Sequence, residues 1–153
     1  MKIEKITTVP EEIEITGATL LSIEEAEALP LRLRKYNNWW WLRSPVYNKC
    51  RAAYVYNNGH VGGSGSVDNF DYVVRPALKI TDLSSNLKVG DVFIFGEKKF
   101  EIVADSFAFC IEDIGTRCFR KDWRAEDAND YEKSDVKKYV DAWFAGASNE
   151  KIK

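Results

Sequence analysis

The chain contains a single histidine, His60, so any catalytic triad, Cys-His pair or histidine metal centre must use it. His60 directly follows Asn57-Asn58-Gly59, a run that is typical of a loop. A role at the surface is therefore expected rather than a role in catalysis. We predict that the protein is not an enzyme, and we assign no catalytic residue, metal ligand or cofactor.

The cysteines and one acidic segment could also take part in chemistry, but a structural interpretation is favoured for each. Cys50, Cys110 and Cys118 are odd in number and lack metal-ligand spacing, which fits reduced thiols in a reducing compartment. Cys110 and Cys118 could form a reactive pair, but buried structural thiols are the preferred interpretation. The acidic residues of segment 126–132 lack the glycine and the spacing of a calcium loop, so a solvated turn is expected.

Residues 46–72, here called the display segment, are rich in Tyr, Asn, Ser, Gly and Asp. Tyrosine offers a large contact area at little entropic cost, and Asn and Ser adapt their hydrogen bonds, as in antibody paratopes. A merely solvated loop face would have a similar composition, and that alternative stays open. The candidate ligand-binding residues are Tyr47, Asn48, Arg51, Tyr54, Tyr56, Asn57, Asn58, His60, Asn69, Phe70, Asp71 and Tyr72.

Three consecutive tryptophans precede the display segment. In a strand, Trp39 and Trp41 would lie on one face and Trp40 and Leu42 on the other. Because such large rings are rarely left in water, we predict that both faces are covered and that the tryptophans form a framework. Stacking of a sugar or peptide ring on them is the less favoured alternative.

Arg43 and Arg75 each lie next to a proline-containing turn, before and after the display segment. A guanidinium could bind a carboxylate or a phosphate of a ligand through its planar fork. The favoured interpretation is structural, with each arginine binding loop carbonyls or pairing with a buried acid.

Local patterns predict several elements in the first half of the chain. Short strands are expected between Ile3 and Ile15, and Ser22-Ile23-Glu24-Glu25 has capping-box spacing for a helix from Ile23 to about Leu29. Residues 52–56 and 60–61 are predicted to pair as a hairpin, and residues 62–66 to form a loop or a bulged strand.

The second half predicts a strand pair over residues 89–103 with a turn at 96–98, a third strand at 107–111 and an amphipathic helix. The helix is expected to start after Ser134 and to end at Gly146. Trp41 and Trp143 lie on apolar stripes, so both are predicted to be buried.

The 153 residues have the length of one domain, divided into halves 1–81 and 89–146 by a polar junction, 82–88. The net charge of −2 makes direct binding of nucleic acid unlikely on the basis of charge, and no apolar run has the length of a membrane span. We expect a cytoplasmic α+β protein with one twisted, mainly antiparallel sheet and two helices. Its oligomeric state is not predicted.

Segments 20–27, 40–45, 52–55 and 74–78 together resemble an uncharacterised bacterial and phage domain family. In that family, elements like those of residues 89–146 come first, so the resemblance implies a circular permutation here. A permutation requires the first and last elements to pack side by side. Val46 and Val73 stand where the family usually has glycine.

The layout is also similar to the C-type-lectin-like fold of sulfatase-modifying factors and of variable proteins of diversity-generating retroelements. This resemblance implies a display surface, and we predict non-catalytic recognition of a protein or other macromolecular ligand. One alternative is a phage-encoded effector that inhibits a host protein such as a defence nuclease. A less favoured one is an enzyme related to sulfatase-modifying factors.

Overall fold

The structure, a computed structural model, describes residues 14–81 and 87–152. These residues form an α+β domain with two antiparallel sheets, three α-helices and one 3-10 helix, whereas the sequence predicted one sheet and two helices. Residues 1–13 of the predicted N-terminal strands and residues 82–86 of the predicted junction lie outside the described residues. The elements are β1 Ile15–Thr19, α1 Ile23–Glu27, α2 Leu31–Arg34, β2 Trp40–Pro45, β3 Arg51–Val55, β4 Val61–Ser66, β5 Ala77–Ile80, β6 Val92–Phe95, β7 Lys98–Ala104, β8 Phe107–Cys110, the 3-10 helix Tyr131–Lys133 and α3 Asp135–Ile152.

The larger sheet has the strand order β1-β5-β8-β7-β6, and all of its pairs are antiparallel. Strands β1 and β5 come from the first half of the chain and the other three strands from the second half. Helix α3 packs against β1, so the first and last described elements lie side by side. This is the arrangement that a permutation requires, and the permutation itself stays a prediction.

The smaller sheet has the order β2-β3-β4. Trp40 and Leu42 on one face of β2 are fully buried in one core cluster, and Trp41 on the other face is fully buried in another, with Trp39 packed against it. The prediction that both faces of the tryptophan strand are covered is confirmed. The predicted hairpin at 57–59 also forms, with Gly59 at a φ of 91°.

Both predicted helix starts are confirmed. Ser22 and Glu25 form the capping box of α1, and the Ser134 hydroxyl accepts a hydrogen bond from the Lys137 amide in α3. The predicted end of α3 at Gly146 is wrong, because the helix continues to Ile152 and buries Ala147, the residue that follows Gly146.

The prediction that Trp143 is buried is also wrong. This side chain is half-exposed, although its ring contacts the rings of Phe95 and Phe100 at centroid distances of 5.7 and 5.9 Å. Trp143 lies at the border of the apolar face of α3, so one side of the ring packs on the larger sheet while the other meets water.

The glycines of β4 allow aromatic rings to lie directly on its backbone. A Cβ atom added at Gly65 would lie 2.9 Å from atoms of both Trp41 and Tyr54, and one at Gly62 would lie 2.9 Å from the rings of Tyr54 and Tyr56. Distances this short are not tolerated without movement of the rings.

The predicted bulge is present as well, because the pairing of β3 with β4 shifts register between Ala52 and Tyr54.

We predict that Gly65→Ala lowers the free energy of unfolding by about 1–3 kcal/mol, the usual cost of overpacking a core. Gly17→Ala in β1 is the matched control, because its added Cβ would make only an ordinary contact of 3.7 Å with Lys79. Urea denaturation of both variants measures the difference. Equal stability of the two variants would contradict the packing argument.

Candidate functional site

Arg75 lies at the centre of the frame that supports the display segment. Its side chain is buried, with 1% of the residue exposed. One guanidinium nitrogen donates a hydrogen bond to the Leu33 carbonyl at 2.9 Å, and Nε donates to the Glu112 carbonyl at 3.3 Å. The removal of water lowers the pKa of Arg75 from its ordinary value, but the group stays charged at neutral pH.

Three aromatic rings surround the same guanidinium. Its central carbon lies 4.3 Å from the ring centroid of Tyr36, 4.8 Å from that of Trp40 and 4.5 Å from that of Phe109. Cation–π contacts of this kind are strongest when water is excluded. Arg75 thus binds backbone carbonyls and aromatic faces inside the protein, as the structural interpretation predicted.

Arg43 also has internal partners. Its guanidinium forms an ion pair with Glu25 at 2.5 Å and donates a hydrogen bond to the Leu20 carbonyl at 2.8 Å. Despite the opposing effect of partial burial, the hydrogen bonds from Arg43 and from the Ser22 amide hold the pKa of Glu25 below its ordinary value. Arg43 therefore links β2 to α1 and to Leu20, the residue that follows β1.

Two of the candidate ligand-binding residues are core residues, so their assignment to an exposed surface is wrong. Tyr54 and Tyr72 are almost fully buried, and their rings pack against each other at 5.3 Å and against Trp39 at 5.3 and 5.4 Å. The strand places Tyr54 on the same side as the glycines of β4, where the rings fill the space. Both tyrosines therefore belong to the core beneath the display segment.

Tyr56 and His60 lie at the border of this cluster. Tyr56 is half-buried, with its ring edge-on to Trp39 at 4.8 Å, and the exposed His60 ring stacks on Tyr56 at 5.9 Å. The imidazole thus lies at the surface with one face towards the Tyr56 ring.

Three candidate asparagines hold the loops in shape. The side-chain oxygens of Asn48, Asn58 and Asn69 each accept a hydrogen bond from the amide two residues further along, at 3.1, 3.0 and 2.8 Å. This is the Asx turn, in which the side chain takes the place of a backbone carbonyl. The asparagines therefore reduce the conformational freedom of the loops that carry the other candidates.

The remaining candidates present their side chains to solvent. Tyr47 is fully exposed and Phe70 is 61% exposed, which is unusual for aromatic residues. The exposed polar candidates are Asn48, Arg51, Asn57, Asn58, His60 and Asp71, and Asn69 is half-buried.

The structure divides the candidates between the two ends of the smaller sheet. Arg51 pairs with Ser66 at one end, next to the loop that carries Tyr47, and the hairpin tip with Asn58 lies at the other end. The ends of β3 are roughly 13 Å apart at the usual rise per residue. A ligand that contacts both ends must therefore span at least about 13 Å.

Two of the three cysteines lie in the core. Cys110 and Cys118 are buried, and burial raises the pKa of both thiols, that of Cys110 to about 12. Thiols in this state are poor nucleophiles. Among residues 14–81 and 87–152, no three His, Cys, Asp or Glu side chains are grouped so that they could hold a metal ion. No described helix is long and apolar enough to cross a membrane.

One surface feature was not predicted from the sequence. Phe70 borders a groove of about 910 Å³ whose other walls are segment 117–122, except the buried Phe119, and the first turns of α3. A signal was present in Arg117-Cys118-Phe119-Arg120-Lys121, where buried residues lie between basic ones. Its proximity to Phe70 depends on tertiary structure.

Comparison with known protein families gives a match to part of the chain. Residues 13–82 match an uncharacterised domain family. Its description is "Domain of unknown function (DUF6273)", and the matched stretch runs from β1 to β5, including all of β2-β3-β4. The predicted resemblance to an uncharacterised domain family is confirmed. No curated protein and no solved structure matches the chain.

We predict that Arg75→Lys lowers the free energy of unfolding by more than about 2 kcal/mol, because hydrogen bonds from charged donors contribute about 1.5–3 kcal/mol each. A lysine cannot reach both carbonyls and lie flat among three rings. Arg51→Lys is the control, since Arg51 is exposed, and it should change stability by less than about 0.5 kcal/mol. Chemical denaturation measures both, and similar losses would refute the assigned role of Arg75.

A second prediction concerns alkaline pH. Burial raises the pKa of Tyr72 to about 12, from an ordinary value near 10. Between these values the folded protein keeps a proton that the unfolded chain releases, so stability falls as pH rises. Tyr72→Phe has no such proton and should lose less stability from pH 10 to 12 than the wild type. Parallel pH profiles in urea denaturation would contradict this.

Proposed function

We propose that the protein is a non-catalytic recognition module that binds a protein ligand through the exposed part of the display segment. The observation that carries the proposal is the exposure of Tyr47 and Phe70 on loops whose shape is fixed. Exposed aromatic side chains are common anchors in protein interfaces, where they enter pockets of the partner.

The fixed loops favour binding because less entropy is lost when a partner arrives. Besides its Asx turn, the loop with Tyr47 is held by Asn129. The side-chain amide of Asn129 donates hydrogen bonds to the carbonyls of Val46 and Asn48 at 2.9 and 3.3 Å. The amide of Val67 donates to the Cys50 carbonyl at 3.1 Å and so joins the loop to the exit of β4. The aromatic side chains are thus displayed from an ordered backbone.

The alternative of a host-protein inhibitor that acts through acidic residues has less support. Asp127 already pairs with Arg120 at 3.3 Å and with Lys133 at 3.1 Å. The Asp130 side chain accepts a hydrogen bond from the Glu132 amide at 3.0 Å and caps the 3-10 helix. These carboxylates are used within the domain, so they have less capacity for a partner than the exposed aromatic residues.

The test compares two baits in pull-downs from bacterial lysate, analysed by quantitative mass spectrometry. The double variant Tyr47→Ser/Phe70→Ser should lose the partners that the wild type captures, with its melting temperature nearly unchanged because exposed positions contribute little to stability. Tyr56 is left intact because its ring packs on Trp39 and Tyr54.

The control bait is Val89→Ser, which removes an exposed apolar side chain outside the display segment. It should capture the same partners as the wild type. If the double variant also retains them while folded, the recognition surface lies elsewhere and the proposal fails.

A further inference from the structure

The groove beside Phe70 has walls that are joined by backbone hydrogen bonds. The Arg117 amide donates to the Tyr72 carbonyl at 3.2 Å, and the Arg120 amide donates to the Val67 carbonyl at 2.8 Å. On the other side, the Phe119 carbonyl accepts from the amides of Asp135 and Val136 at 2.9 and 3.2 Å. The groove is therefore a built feature of the fold, and its size is within the range of ligand sites in proteins.

The groove is cationic although the whole chain carries a net charge of −2. Its lining includes four basic side chains, from Arg117, Arg120, Lys121 and Lys138. Arg120 already has an internal partner, because it forms an ion pair with Asp127 at 3.3 Å. Among the described residues, neither Arg117 nor Lys121 has a carboxylate within ion-pair distance.

Lys138, like Arg117 and Lys121, has little charge compensation within the protein. Its ammonium group lies 4.0 Å from Asp135, at the limit of an ion pair, and its side chain is 77% exposed. Asp135 also accepts a hydrogen bond from the Lys121 amide at 2.6 Å, which satisfies part of its charge. Three cations therefore face the groove with weak internal compensation.

Arg117 is positioned for an incoming anion. Its guanidinium carbon lies 4.2 Å from the ring centroid of Tyr139, and the Tyr139 hydroxyl donates to the Ile114 carbonyl, which fixes the ring. Stacking on an aromatic face uses the flat side of a guanidinium and leaves the N–H donors in its plane available. Those donors suit the two oxygens of a carboxylate.

We propose that this groove binds an acidic segment of a protein partner, with carboxylates on Arg117, Lys121 and Lys138 and an apolar side chain on Phe70. This inference rests on the proposed recognition function and names the chemistry of the partner. A peptide fits better than a nucleic acid because the lining also contains Asp122 and Asp135. A peptide backbone supplies N–H groups that can donate to these carboxylates, whereas the backbone of a nucleic acid supplies no such donor and carries a negative charge at every phosphate.

The experiment measures fluorescence anisotropy of a labelled peptide in which Glu alternates with Leu. The wild-type protein should bind it, and the affinity should fall as salt is added. The variant Arg117→Glu/Lys121→Glu should bind at least about tenfold more weakly, because two attractive contacts become repulsive. The matched control is Lys35→Glu/Lys79→Glu, which changes the net charge equally at exposed positions outside the groove and should bind within about twofold of the wild type.

Melting temperatures establish that each variant is folded, and Arg117→Gln/Lys121→Gln replaces the charge reversal if that variant unfolds. Phe70→Ser should weaken binding of the Glu-Leu peptide more than binding of a peptide of Glu and Ser. Absence of binding by the wild type, or equal binding by the groove variant and the control, would overturn the inference.

Two further probes test whether the groove selects for negative charge carried on a peptide. A peptide with Lys in place of Glu should not bind, and a single-stranded oligonucleotide should bind more weakly than the acidic peptide. Tighter binding of the oligonucleotide, lost in the groove variant, would overturn the inference in favour of a nucleic-acid site. If the acidic peptide fails to bind while Tyr47→Ser/Phe70→Ser still loses its captured partner, this inference fails and the proposed function stands.

Discussion

The burial of one positive charge, that of Arg75, constrains much of the architecture. A guanidinium that leaves water must regain its interactions within the protein, and here it does so from five groups, of which the nearest ring is that of Tyr36. The carbonyl of Leu33 comes from α2, the ring of Trp40 from β2, the ring of Phe109 from β8 and the carbonyl of Glu112 from the loop that follows. The two sheets cannot separate without exposing these groups or leaving the charge unsatisfied.

The opposite face of β2 depends on shape rather than charge. Trp41, Tyr54 and Tyr72 fill the space above β4 because Gly62 and Gly65 have no side chains there. The unusual composition of the display segment therefore has three separate causes. Its glycines admit rings, three of its asparagines form turns, and its buried tyrosines complete the core. Only the remainder, chiefly Tyr47 and Phe70 with their polar neighbours, is available to a ligand.

Local patterns in the sequence were sufficient for most of the elements. The capping box at Ser22, the turn after Tyr56 and the strand pair around Gly96 depend on neighbouring residues, so they could be predicted without tertiary information. The burial of Tyr54 could not be predicted, since a tyrosine suits both a core and a binding surface. The end of α3 was missed because the packing of Ala147 outweighs the low helix propensity of Gly146.

In the candidate site, too, some features follow from the local sequence and others depend on tertiary structure. Composition identified the display segment, but the groove requires Phe70 and residues 117–122 to meet across about fifty positions of sequence. The walls of this groove are held by backbone hydrogen bonds, and Arg117, Lys121 and Lys138 are exposed residues. Substitutions of Arg117, Lys121 or Lys138 can therefore alter the charge that a ligand meets while the fold, which depends on Arg75 and the aromatic clusters, is retained.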